Sequence, residues 1–76
     1  MEERLKEVIG DVLDLDPGSI DASTTKDTTD SWDSLNHINL VVALEQEFQV
    51  SFDVAEIESM QTFTDILDTL EKKIRI

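Results

Sequence analysis

An all-α fold, a small four-helix bundle, is predicted by three observations on this sequence. Apolar residues return at intervals of three and four along three separate stretches, the signature of helices with one buried side. No apolar–polar alternation of the kind a strand needs survives beyond a few residues. Two capping-box spacings, Asp53 to Glu56 and Thr62 to Asp65, stand just ahead of apolar stripes.

In chain order, Leu5, Val8, Ile9, Val12 and Leu13 fall at i, i+3, i+4, i+7 and i+8 and predict a helix over 2–15, with Glu2 and Glu3 in its first turn. Asp16-Pro17-Gly18 stops it, because proline disfavours helix at the residue before it. Residues 16–33 make a long loop rich in Asp, Ser and Thr. Ile20 and Trp32 are its apolar anchors, Ser19 or Asp21 starts a short turn, and the middle, Thr24–Thr29, is expected to be mobile. Trp32 is assigned to core packing in preference to the edge of a ligand site.

Leu35, Ile38, Val41, Val42, Ala43, Leu44 and Phe48 then predict a helix over 34–48 with one side broadly apolar. The Asp53 box opens a short helix over 54–60, with Ile57 and Met60 inward. The Thr62 box opens a last helix over 63–74, with Phe63, Ile66, Leu67, Leu70 and Ile74 as its stripe. Lys72, Lys73 and Arg75 stand at the end the macrodipole favours for cations. No repeat or low-complexity tract divides the chain, so residues 1–76 read as a single domain.

With 76 residues and no cysteine, the chain has no disulfide staple, which fits a reducing compartment, and no thiol of its own. Met1–Leu5 is charged, and the longest apolar run, Leu40–Leu44, is far short of a membrane span; a soluble, cytoplasmic monomer without membrane insertion is expected. The net charge is −12, and residues 11–59 hold twelve acids against one base, Lys26. That field repels nucleic acid and anionic membrane and steers toward basic protein patches.

No catalytic constellation is legible. Asp33, Ser34 and His37 stand on one helical turn, but neighbours in sequence seldom converge as a triad must, and His37 reads as a solvent-facing helix residue. Asp14-Leu15-Asp16-Pro17-Gly18 fails as a calcium loop, since the places of a third oxygen ligand, a glycine and a closing glutamate hold Gly18, Ser19 and Thr25. One histidine and no cysteine argue against zinc. Gly10 and Gly18 form no phosphate cradle, and no metal or catalytic residue is assigned. Ser34, at the boundary between loop and helix, fits an N-cap. An exposed hydroxyl at a helix start also suits covalent modification, through which a chain without a thiol could acquire one.

Asp33-Ser34-Leu35 running into Ile38-x-x-Val41-Val42-Ala43-Leu44-Glu45-x-Glu47-Phe48 resembles the motif of the acyl carrier protein family, and the resemblance extends over essentially the whole chain. It implies a phosphopantetheine group on Ser34, flanked by Asp33 and Leu35 and installed from coenzyme A by a phosphopantetheinyl transferase. It also implies that acyl-loading and acyl-transferring enzymes grip the carrier through basic patches. Carried over by position, Leu35, Ile38 and Val42 are the apolar docking contacts, and Glu45, Glu47, Glu56 and Glu58 the acidic ones. Many fatty-acid carriers have acids where this chain has Asn36, Asn39 and Gln46, and Leu-Gly where it has Ser31-Trp32. That departure favours a discrete carrier of a specialised pathway over a housekeeping fatty-acid carrier; polyketide synthesis is among the pathways implied.

The expected function is therefore to tether acyl intermediates as thioesters, with the cargo withdrawing into a cleft near Leu44, Ile57, Met60 and Ile66. The alternatives are a carrier of aminoacyl or peptidyl units, which needs the same serine, and an unmodified acidic helical module that binds a basic partner.

Overall fold

The computed structural model describes residues 1–74. Among them stand four α-helices, α1 Glu2–Leu13, α2 Ser34–Phe48, α3 Val54–Ser59 and α4 Phe63–Ile74, and a 3-10 turn at Pro17–Ser19. None of these helices is long and apolar enough to cross a membrane. The expected positions of α2 and α4 match, and the two other helices end early. α1 stops at Leu13 and not at residue 15, because Asp14 takes the left-handed conformation (φ 57°) and the Leu15 N–H returns to the Gly10 carbonyl at 2.9 Å. This is a Schellman-type close without the usual glycine. Pro17 instead begins the 3-10 turn, capped by the Asp16 carboxylate at the Gly18 N–H. Gly10 is required by the close approach: a Cβ there would stand 2.7 Å from the Leu15 carbonyl oxygen. α3 stops at Ser59 and not at residue 60, as Met60 leaves helical geometry (φ −83°, ψ 79°).

The core is drawn from every element. Leu5, Ile9 and Leu13 of α1 meet Leu40, Val41 and Leu44 of α2, Ile66 and Leu70 of α4, and Met60 from the turn after α3. Ile20 and Trp32 seal the loop side, so both expected anchors are buried. Ile74 departs from its predicted stripe: it is exposed, because the last turn of α4 runs past the core. Arg75 lies outside the described residues.

The middle of the long loop is tied down, contrary to the mobility expected of Thr24–Thr29. Thr25 and Thr62 form an antiparallel bridge. The Lys26 N–H donates to the Gln61 carbonyl at 2.8 Å, and the Phe63 N–H to the Thr24 carbonyl at 2.9 Å. The loop thus pairs its backbone with the turn before α4. It also makes its own turns, with the Asp21 carboxylate accepting from the Ser23 N–H. Of the two expected capping boxes, that of Asp53 is complete and that of Thr62 is half formed, with the Asp65 N–H donating to the Thr62 hydroxyl. Asp53 and Glu56 exchange side-chain-to-backbone bonds, whereas Asp65 reaches back to the N–H of Gln61 and not to that of Thr62.

Candidate functional site

The N-terminus of α2 is built by the residues around Ser34. Asp33 is the N-cap: its backbone is extended and its carboxylate accepts from the Asn36 N–H at 2.8 Å. The N-cap role open to Ser34 in the sequence therefore belongs to Asp33. Ser34 is the first helical residue, and its side chain is exposed. Its hydroxyl is not needed to hold the helix end.

Asn36 explains part of the departure noted in the sequence. Its amide Nδ2 donates to the Ser31 carbonyl at 2.8 Å, a bond that an aspartate could not make. The neutral amide fastens the loop to the first turn of α2, and Asn39 in turn donates to the Asn36 side-chain oxygen.

His37 is buried (8% exposed), which corrects its reading as solvent-facing. Its Nδ1 accepts from the Trp32 indole N–H at 3.0 Å, and its Nε2–H donates to the Ile57 carbonyl at 2.8 Å. Only the tautomer with hydrogen on Nε2 serves both partners. The ring thus links the loop, α2 and α3. With both nitrogens engaged, it cannot act as a base toward Ser34, and the Ser–His reading falls on geometry.

An open groove of about 390 Å³ lies beside Ser34, lined by Lys26, His37, Ile38, Ile57, Glu58 and Gln61. Of the four residues expected to form a cargo cleft, only Ile57 lines it. Leu44, Met60 and Ile66 are fully packed into the core. Lys26 and Gln61 were missed as wall residues. Lys26 already stood out as the single base in the acidic stretch, but the bridge that brings it to Ser34 leaves no periodic trace in the sequence.

The expected docking residues divide. Leu35, Ile38 and Val42 are 72%, 54% and 47% exposed and share one outward stripe of α2. Three of the four acids have partners within the fold. Glu45 accepts from the Phe52 N–H, Glu47 pairs with Arg4 at 2.6 Å, and Glu56 pairs with Lys73 at 2.8 Å while completing its capping box. Arg4 holds the Glu47 carboxyl below the usual glutamate range, and Lys73, helped by the Asp53 N–H, does the same for Glu56. Glu58 is exposed on the groove wall.

Comparison with known proteins agrees with this geometry. The family model described as phosphopantetheine attachment site matches residues 3–70. The acyl carrier protein of Thermosynechococcus vestitus is 35% identical over 74 residues, an alignment that takes in 95% of this chain and 89% of that one. That of Petrotoga mobilis is 36% identical over 76 residues, with 97% and 87% covered. The solution structure of holo acyl carrier protein from Geobacter metallireducens superposes with a TM-score of 0.85 at 30% identity, covering 96% of this chain and 84% of that one.

Proposed function

We propose, from the premise that this chain belongs to the acyl carrier proteins with a phosphopantetheine attachment site, that Ser34 is the residue carrying the group. Members of this family are carriers and not enzymes, and their prosthetic group is covalently attached. When bound, that group supplies the thiol this sequence lacks, on a flexible arm able to hold an acyl unit as a thioester.

The observation that carries the assignment is the position of Ser34: an exposed hydroxyl on the first residue of α2, freed from capping by Asp33, beside an open groove. A large substituent can stand on its Oγ without any core residue moving. In the attachment from coenzyme A, the hydroxyl gives up its proton. A new bond from Oγ to phosphorus replaces the phosphorus–oxygen bond to the nucleotide half, which leaves. Asp33 fixes the first turn and so the backbone from which the Ser34 side chain projects. Leu35, Ile38 and Val42 give the transferase and the acyl-transferring enzymes an apolar surface, inside a negative field suited to their basic patches.

The pathway served is, on this reading, a specialised one. Asn36 is occupied in holding Ser31, so the carrier shows partners a less acidic first turn than an acid at that position would provide.

The test is intact mass after incubation with coenzyme A and a promiscuous phosphopantetheinyl transferase. Wild type is expected to gain one phosphopantetheine and Ser34→Ala none. No gain by folded wild type, or an equal gain by both, overturns the assignment.

A further inference from the structure

We propose that Lys26 is the positioning residue for the phosphodiester that joins the arm to Ser34; this rests on Ser34 being the attachment point. Lys26 is the only base between residues 11 and 59, and the fold spends it on the wall of the groove that Ser34 also lines. Its backbone is held there by the bond from its N–H to the Gln61 carbonyl, next to the Thr25–Thr62 bridge. The lysine is half-buried, so its stem is confined. Arg4, Lys6 and Lys73 each pair with a glutamate, whereas no carboxylate among the described residues lies within ion-pair distance of the ammonium of Lys26 or of Lys72, and of these two only Lys26 lines the groove.

The electrostatics give this cation a task. A phosphodiester keeps one negative charge at any ordinary pH, and on Ser34 it would follow Asp33 directly in the chain and share the groove with Glu58. The N-terminus of α2 offers little relief, because the Asp33 carboxylate already answers it through the Asn36 N–H. Lys26 is the compensating charge within the groove, and a lysine ammonium presents three donors without a fixed plane. Held by Lys26, the first bonds of the arm lie on the groove side of α2, toward Ile57. The outward surface of Leu35 and Val42 stays uncovered for partner enzymes.

The test compares the change in Tm on conversion from apo to holo protein in wild type, Lys26→Gln and Lys26→Arg. Any role of the Lys26 stem in the fold is present in both forms and cancels from the difference. At low salt, conversion is expected to lower Tm by about 3 °C more in Lys26→Gln than in wild type, with Lys26→Arg close to wild type. The excess should fade at about 1 M salt. Phosphorus NMR of the holo proteins supplies a second readout, in which the resonance moves in Lys26→Gln and stays in place in Lys26→Arg. Equal conversion shifts in wild type and Lys26→Gln at low salt, with a phosphorus resonance common to all three, overturn the proposal. Failure of the Ser34 assignment is seen separately, as an absent mass gain in wild type.

Discussion

Helix α2 carries two apolar stripes that differ little in composition and completely in use. One, with Leu40, Val41 and Leu44, is buried and continues through His37. The other, Leu35, Ile38 and Val42, has the same helical spacing turned outward and stays open to water. Exposing three branched aliphatic side chains on one small helix gives up burial worth roughly 1.5–3 kcal/mol for each if it were fully covered. A small domain with no disulfide has little stability to spare. Side chains left exposed under those conditions are what the proposed docking of partner enzymes calls for. The lesson is that apolar periodicity reports which residues share a side of a helix, and only packing decides which side faces in.

The sharpest test of this division removes the same side chain from each stripe. Leu44→Ala leaves a cavity at a position with no exposure and should cost about 2–5 kcal/mol in denaturant unfolding. Leu35→Ala should change stability by less than about 0.5 kcal/mol. It should instead lower kcat/KM for the phosphopantetheinyl transferase, without a matching fall in Tm. Similar losses of stability at the two positions would end the distinction.

Trp32→Phe probes the polar member of the inward stripe. The substitution keeps an aromatic body in the core and removes the donor to His37 Nδ1, leaving a buried acceptor without its partner. The expected cost is about 1–3 kcal/mol by denaturant unfolding. An unchanged midpoint would mean that the indole contributes through packing alone and that its bond to His37 adds no net stability.

His37 also shows where the sequence was readable and where it was not. At i−3, i−4 and i−7 from Leu40, Val41 and Leu44 it lies on the inward side by spacing alone. Polarity argues the other way, and the two partners that let the ring be buried, a tryptophan in the loop and a carbonyl in α3, come from segments whose approach only the fold determines. The same holds for Lys26, brought to Ser34 by an isolated backbone bridge with no strand pattern on either side. What depends on local chemistry was legible: the stripes of α1, α2 and α4, the Asp53 box, and Ser34 at the head of α2. The end of α1 was less so, because its left-handed residue is Asp14 and not the glycine that usually announces such a stop.

The acidic residues near the outward stripe divide as the apolar ones do, and acid titration exposes that smaller division. Glu47 and Glu56 have internal cationic partners, and their carboxyls are held below the ordinary glutamate value by those hydrogen bonds. A carboxyl with a depressed value in the folded state stays ionised while its unfolded counterpart takes up a proton. The unfolded chain then binds more protons, so stability falls as pH falls. The contribution is fully present above the unfolded value and is lost as pH drops through the folded one. Glu56→Gln removes the Lys73 pair while the glutamine keeps an oxygen able to accept from the Asp53 N–H. The Tm difference between wild type and Glu56→Gln should therefore be present at pH 7 and close progressively below about pH 4.3. Because both partners reach solvent, the difference should be small and should shrink with added salt. Glu58→Gln has no such partner to lose among the described residues, and its Tm at pH 7 should stay close to that of wild type. A gap that widened toward acid for Glu56→Gln would mean that Lys73 does not hold this carboxyl ionised in the fold, and an equal loss of Tm at pH 7 in Glu58→Gln would remove the distinction between the two glutamates.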